Sequence, residues 1–171
     1  MKRILSALIF LIALASSGMY SNDARAVGEA APDISLRDID GVLVNLSDYE
    51  GQVVLINFWA TWCQPCQVEM PHLQQMYTDF ADQGFVVLSI SIDEARSASM
   101  VKPLIRSYGY TFPVLLDRDT SVVSVYNPSK ILPYTALLDR EHRIQVVHQG
   151  YNPGDEVGLR AEVEALLTLA P

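Results

Sequence analysis

Apolar and polar positions along the chain alternate between two periods. Residues 27–33 read as an irregular lead-in. Ile34–Arg37 and Val42–Leu46 flank Asp40-Gly41, a turn pair, and predict a β-hairpin. Val53–Phe58 (VVLINF) and Phe85–Ile92 (FVVLSISI) are continuous apolar and β-branched runs, the pattern of strands covered on both faces. Between them, Val68, Leu73, Met76 and Phe80 recur at roughly helical spacing. They predict a helix over Gln64–Gln83, kinked at Pro71 and stopped by Gly84. Ser97–Tyr108 predicts a second helix, interrupted by Pro103 and ended by Gly109. Phe112–Leu116 is a short strand, and Thr120–Tyr126 supplies one or two helical turns. Pro133–Leu138 and Ile144–His148 predict another hairpin around Arg140–Arg143. Asp155 opens a last helix, with Val157, Leu159, Val163, Leu166 and Leu167 on or near its apolar side. This order implies an α/β fold: a central mixed β-sheet with helices on both faces, without repeats or a second domain.

Composition and charge narrow the function classes. Half of the 171 residues are hydrophobic and 19% are charged, which excludes a disordered or low-complexity chain. The formal charge is −8 at pH 7, so nucleic acid is not expected as a partner. Residues 1–26 have their own pattern. Lys2 and Arg3 precede the apolar run Ile4–Ala15, then a polar stretch, then Ala24-Arg25-Ala26, a small-x-small cleavage pattern. This predicts a signal peptide over residues 1–26 and one domain over 27–171. An uncleaved membrane anchor is the competing reading, but a helix over Ile4–Ala15 is about 18 Å long, short of a ~30 Å hydrocarbon core. Either way the domain is expected outside the cytoplasm, in the periplasm.

That compartment changes how the two cysteines are read. Exported domains usually spend paired cysteines on structural staples, and Cys63–Cys66 is the only internal pair possible here. In the chain-entropy model so small a loop gains roughly 2 kcal/mol, against about 4.7 for a loop of ~100 residues. Reactivity explains the pair better. The motif Cys63-Gln64-Pro65-Cys66 sits where a buried strand passes into a helix. A thiolate is the nucleophile of thiol–disulfide exchange. At a helix N-terminus Cys63 faces unpaired N–H groups and the positive end of the dipole, which favours its thiolate and marks it as the attacking, more exposed sulfur. Spacing over one turn brings Cys66 within disulfide reach as the resolving sulfur. Pro65 near the first turn costs little. Trp62 is expected to cover one side of the sulfurs. A structural disulfide or half a metal site is the bland alternative.

Asn57-Phe58-Trp59-Ala60-Thr61-Trp62-Cys63-Gln64-Pro65-Cys66, continuing to Glu69-Met70-Pro71, resembles the exported thioredoxin-like proteins of the TlpA/ResA type. Leu46-Ser47-Asp48-Tyr49, Phe112-Pro113-Val114-Leu115-Leu116-Asp117 and Leu132-Pro133-Tyr134-Thr135 match as well, and the likeness covers about residues 29–168. The resemblance implies a thioredoxin fold with an N-terminal β-hairpin extension and a βα insertion, about residues 85–117. It implies thiol–disulfide exchange, most often reductive. It implies that Pro133 is a cis-proline beside the disulfide, with the Leu132 backbone placed to pair with an extended client segment. A proline opening an edge strand is the alternative. Glu69 matches the acidic residue of CxxCxxE, one turn after Cys66. There a carboxylate raises thiol pKa values and relays a proton to or from Cys66; a solvated helix glutamate is the alternative. Three departures touch the substrate face: Glu141-His142 where Asp-Gly is frequent, Tyr134-Thr135-Ala136 where aromatics are frequent, and Asn127-Pro128 where a glycine is common.

The expected function is therefore a reductase of protein disulfides, for example of apocytochrome c cysteines in cytochrome c maturation. Its partners are proteins carrying disulfides or thiols and a membrane electron donor that re-reduces it. No cofactor and no metal is expected, and monomer is the family-like default. Two alternatives use the same cysteines: a disulfide-forming oxidant, and a Cu(I) metallochaperone. Gln64 and Pro65 add no charge to stabilise the thiolate, which leans towards a reductant. His72, His142 and His148 are scattered, and the Thr and Cys around position 63 are not at peroxiredoxin-like spacing. Asp93-Glu94 and Asp155-Glu156 read as loop or helix-start charges.

Overall fold

The computed structural model describes residues 27–169, so the signal segment expected over 1–26 lies outside the described residues. Seven strands form one mixed sheet. In chain order they are β1 Ser35–Asp38, β2 Leu43–Asn45, β3 Val53–Trp59, β4 Phe85–Ser91, β5 Val114–Leu116, β6 Tyr134–Leu138 and β7 Ile144–Gln149. Across the sheet the order is β2-β1-β5-β4-β3-β6-β7. β3, β4 and β5 run parallel, and every other pairing is antiparallel. The helices are α1 Gln64–Phe80, α2 Ala98–Tyr108, α3 Ser121–Tyr126 and α4 Asp155–Thr168.

The two continuous apolar runs become β3 and β4, and every residue of both is buried. The side chains of β3 alternate between two layers. Phe58 faces α3, with its ring 5.5 Å from Tyr126 and 6.0 Å from Tyr134. Asn57 points the other way, onto α1. α1 and α4 share that second face, where Arg160 of α4 stacks 4.6 Å over Phe80 and pairs with Asp79 at 2.8 Å. Helices thus cover both faces of the sheet. α2 and β5 carry the sheet beyond β4 to the β1–β2 hairpin. Gln74 of α1 ties down the segment after α2 by accepting from Thr111 N and donating to its hydroxyl.

Neither internal proline breaks its helix. α1 runs through Pro71 and α2 through Pro103. Buried residues lie on both sides of each proline: Met70, Leu73, Met76 and Phe80 in α1, and Val101 and Ile105 in α2. Tertiary packing of this kind, more than propensity, keeps a helix formed. α1 stops at Phe80, and a 3₁₀ turn over Ala81–Gln83 leads to Gly84 at φ +82°. The departure at Glu141-His142 has a local account. His142 adopts φ +54°, a conformation glycine reaches most readily, and its ring Nε2 lies 3.1 Å from Tyr49 O. The β6–β7 register slips between Leu137 and Leu138.

Candidate active site

The site begins where β3 ends. Trp59 is the last strand residue, and Ala60–Trp62 form a short loop into α1. Asp93 pins this loop from just past β4. Its carboxylate accepts from Thr61 N at 2.8 Å, the Thr61 hydroxyl at 2.6 Å and the Ser91 hydroxyl at 2.9 Å. Gln67 Nε2 donates to Thr61 O at 2.6 Å from the second turn of α1. Asp93 is fully buried, so the loop charge expected from the sequence is an anchor instead. A buried carboxylate needs such donors, and three meet it here.

Cys63 is the N-cap of α1 and Pro65 lies in its first turn. Cys63 and Cys66 are joined as a disulfide with Cα atoms 5.3 Å apart. The Cys63 sulfur accepts from Cys66 N at 3.3 Å, occupying one of the amides a helix start leaves free. Cys63 is 5% exposed and Cys66 is sealed. Solvent therefore reaches the pair through Cys63. Trp62 stands in solvent, 67% exposed.

One turn further, Glu69 is only 4% exposed, so it is not a solvated helix glutamate. Its Oε2 accepts from Asn57 Nδ2 at 2.8 Å and its Oε1 from the Thr135 hydroxyl at 3.3 Å. Asn57 Nδ2 also donates to Thr135 Oγ1 at 3.1 Å, closing a triangle across α1, β3 and β6. Asn57 and Thr135 are direct cross-strand partners, which is why both reach the same helix residue. Burial pushes the Glu69 carboxyl up to about 7, opposed by the Asn57 and Thr135 hydrogen bonds and by nearby His148. Near neutral pH Glu69 is thus able both to take up and to release a proton.

The fourth element is the loop before β6. The Leu132–Pro133 peptide bond is cis. Tyr134 pairs with Phe58, which sets Pro133 level with Trp59, at the sheet end from which the cysteine loop departs. Asn127 is buried and braces this loop. It donates to Ile131 O at 2.9 Å and accepts from the Ser129 hydroxyl at 2.7 Å. Topology therefore gathers Trp62, Cys63, Cys66 and Pro133 at one end of the sheet, with Glu69 one turn behind. Sequence reasoning gave Asn57 and Thr135 no role of their own and read Asp93 as a loop or helix-start charge. The legible signal was Asn57, an amide inside the apolar run VVLINF, because a buried polar group needs a partner. His72 stacks near Tyr151, with centroids 6.3 Å apart.

The family model of AhpC/TSA proteins matches residues 27–147, most of the described chain. The chain belongs to the AhpC/TSA family. Among its relatives, the thiol-disulfide oxidoreductase ResA of Geobacillus kaustophilus is 37% identical over 149 residues, covering 83% of this chain and 84% of the relative. The protein of the same name from Bacillus subtilis is 38% identical over 123 residues, covering 72% and 67%. Of the solved structures, a candidate thiol:disulfide interchange protein DsbE from Chlorobium tepidum superposes with a TM-score of 0.76. It is 31% identical and covers 83% of this chain and 98% of its own. This AhpC/TSA protein is accordingly an enzyme, a thiol–disulfide oxidoreductase with a thioredoxin-like fold. The Cys63–Cys66 disulfide stands at CxxC spacing.

Proposed function

We propose that the protein works in the periplasm as a reductant of protein disulfides. The observation that carries this reading is the pairing of a nearly sealed disulfide at a helix N-terminus with a buried carboxyl tuned to about 7 one turn behind it. In the reduced enzyme the Cys63 thiolate attacks one sulfur of a client disulfide. A Cys63–client mixed disulfide forms, and the other client sulfur leaves as a thiolate and is protonated. Cys66 passes its proton to Glu69 and attacks Cys63 Sγ. The Cys63–Cys66 bond forms, the mixed disulfide breaks, and the second client thiolate departs. Two electrons have moved from the enzyme dithiol to the client. A membrane donor returns them, and the signal segment read over residues 1–26 supports that location. The Leu132 backbone beside Pro133 pairs with the extended client segment, and Trp62 adds apolar contact. Disulfide-bonded haem-site cysteines of apocytochrome c, in cytochrome c maturation, are the client class this reading favours.

The test is the reduction potential of Cys63–Cys66, measured by equilibration with defined thiol buffers. A value near or below about −270 mV supports the reductant, and a value near about −120 mV reverses the direction to disulfide formation. Cys63→Ala is expected to abolish reduction of a disulfide-bonded substrate protein. Cys66→Ser is expected to accumulate the mixed disulfide, seen by mass spectrometry. Full activity of Cys63→Ala overturns the mechanism.

A further inference from the structure

The proton that Glu69 takes from Cys66 either stays on the carboxyl until re-reduction or leaves to solvent, and Glu69 lies behind the cysteines, away from the face on which Cys63 opens. The structure offers a second way out. A cavity of about 150 Å³ between β7 and the start of α4 is lined by Glu69, His148, Tyr151, Asp155, Glu156 and Leu159. Trp62, Cys63, Cys66, Leu132 and Pro133 do not line it. We propose that this cavity is the proton outlet of Glu69, so that proton exchange and client contact use different faces of the enzyme. The proposal rests on Glu69 being the proton acceptor for Cys66, as argued above.

Three observations support it. The first is room and polarity. A water occupies about 30 Å³ of liquid and needs two to four polar partners. The cavity holds several, and the Tyr151 hydroxyl, His148 and two carboxylates line it. The second is the way Glu69 is held. Asn57 from β3 and Thr135 from β6 fix its oxygens from the sheet, and the α4 side is where it meets the cavity. The third is the charge arrangement. His148 of β7, 2.7 Å from Glu162 Oε2, favours the Glu69 carboxylate, whereas Asp155 of α4 favours its protonated form. Tyr151 donates to Glu156 Oε2 at 2.6 Å. Its burial, and then that bond, hold the Tyr151 phenol protonated, above the ordinary tyrosine range. It stays a donor at the mouth and does not compete as a base. On α1, His72 lies beside the Tyr151 ring.

The step balances simply. Cys66 Sγ–H gives its proton to the Glu69 carboxylate, and the Cys66 thiolate attacks Cys63 Sγ and expels the client thiolate. The neutral Glu69 carboxyl then gives the proton to water in the cavity and is again a carboxylate.

The experiment follows resolution of the Cys63–client mixed disulfide, which releases the second client thiol, in a single turnover of the reduced full-length protein with client in excess. One client is oxidised glutathione and the other an unfolded protein carrying one disulfide. Glu69→Ala is expected to slow release roughly a hundredfold, a usual size for a lost proton-transfer group. Formate, small enough for the cavity, is expected to restore release to the same fraction with both clients. Rescue with glutathione but not with the protein client overturns the outlet, because formate is then entering by the client face. Lack of rescue with either client overturns it too. Gln149→Trp, at an exposed position on the cavity wall, keeps Glu69 and narrows the mouth. Release several-fold slower at an unchanged reduction potential supports the outlet, and release as fast as the parent overturns it. A Glu69→Ala variant as fast as the parent fails differently: it removes the role of Glu69 itself.

Discussion

Asp93 and Glu69 are two buried carboxyl groups on either side of the same short loop and helix start, and they are held differently. Asp93 accepts from a backbone amide and two hydroxyls, all at 2.9 Å or less. It fixes the loop that carries the cysteines. Glu69 accepts only two side-chain bonds, one of them at 3.3 Å. Burial then dominates, and its proton affinity rises to about 7. Hydrogen bonds to the charged form offset desolvation, and the two that Glu69 accepts leave burial the larger effect on its carboxyl. Asp93 ties two segments together through its three donors, whereas Glu69 joins α1 to the sheet through two and holds its proton more tightly than an ordinary glutamate.

Asp93→Ala tests that contrast most heavily. It strips three hydrogen bonds from a buried site and is expected to cost about 3 kcal/mol or more in urea unfolding. A loss below 1 kcal/mol makes Asp93 no anchor. Glu69→Gln is expected to act with the opposite sign. The folded protein holds the Glu69 proton up to about pH 7, while the unfolded chain releases it near 4.5. Between those values the unfolded state binds fewer protons, so stability falls as pH rises. Replacing the acid by an amide removes that loss: little change near pH 4, and stabilisation of up to about 3 kcal/mol by pH 9. Urea midpoints of both proteins across that range check it, and parallel pH curves contradict the assignment.

Thr135→Val sharpens the contrast on a smaller scale. It removes one donor from Glu69 and leaves an Asn57 N–H unpaired, costing about 1–2 kcal/mol. It is expected to move the Glu69 titration further up, read from the side-chain carboxyl carbon by NMR; a downward move refutes the account. Trp62→Ala is the smallest for stability, within about 0.5 kcal/mol because the ring is exposed. Its expected effect is a raised KM for protein clients with kcat for a small disulfide unchanged.

These differences also explain what the sequence made legible. The first turn of α1 is a local object. Strand, loop, N-cap, proline and second cysteine fall within Trp59–Cys66, so periodicity and spacing expose them directly. The second turn is not. Asn57 lies twelve positions before Glu69, and Thr135 sixty-six after it. Only the antiparallel register of β3 and β6 brings the two strand residues under the helix. Asp93 was misread for a similar reason: its partner Thr61 is thirty-two positions away. The hairpins, the buried strands and the helix order were readable because each rests on a short-range pattern. The uninterrupted run of α2 through Pro103 was not, since packing on both sides of that proline decides it.

The sheet's borders carry a last consequence. β2, at one edge, is three residues long, and β7, at the other, pairs through a slipped register. A short or irregular border presents few aligned N–H and C=O groups to a foreign chain. An enzyme whose substrates are other proteins is itself exposed to pairing with their strands. Such borders leave another chain little regular backbone to zip onto.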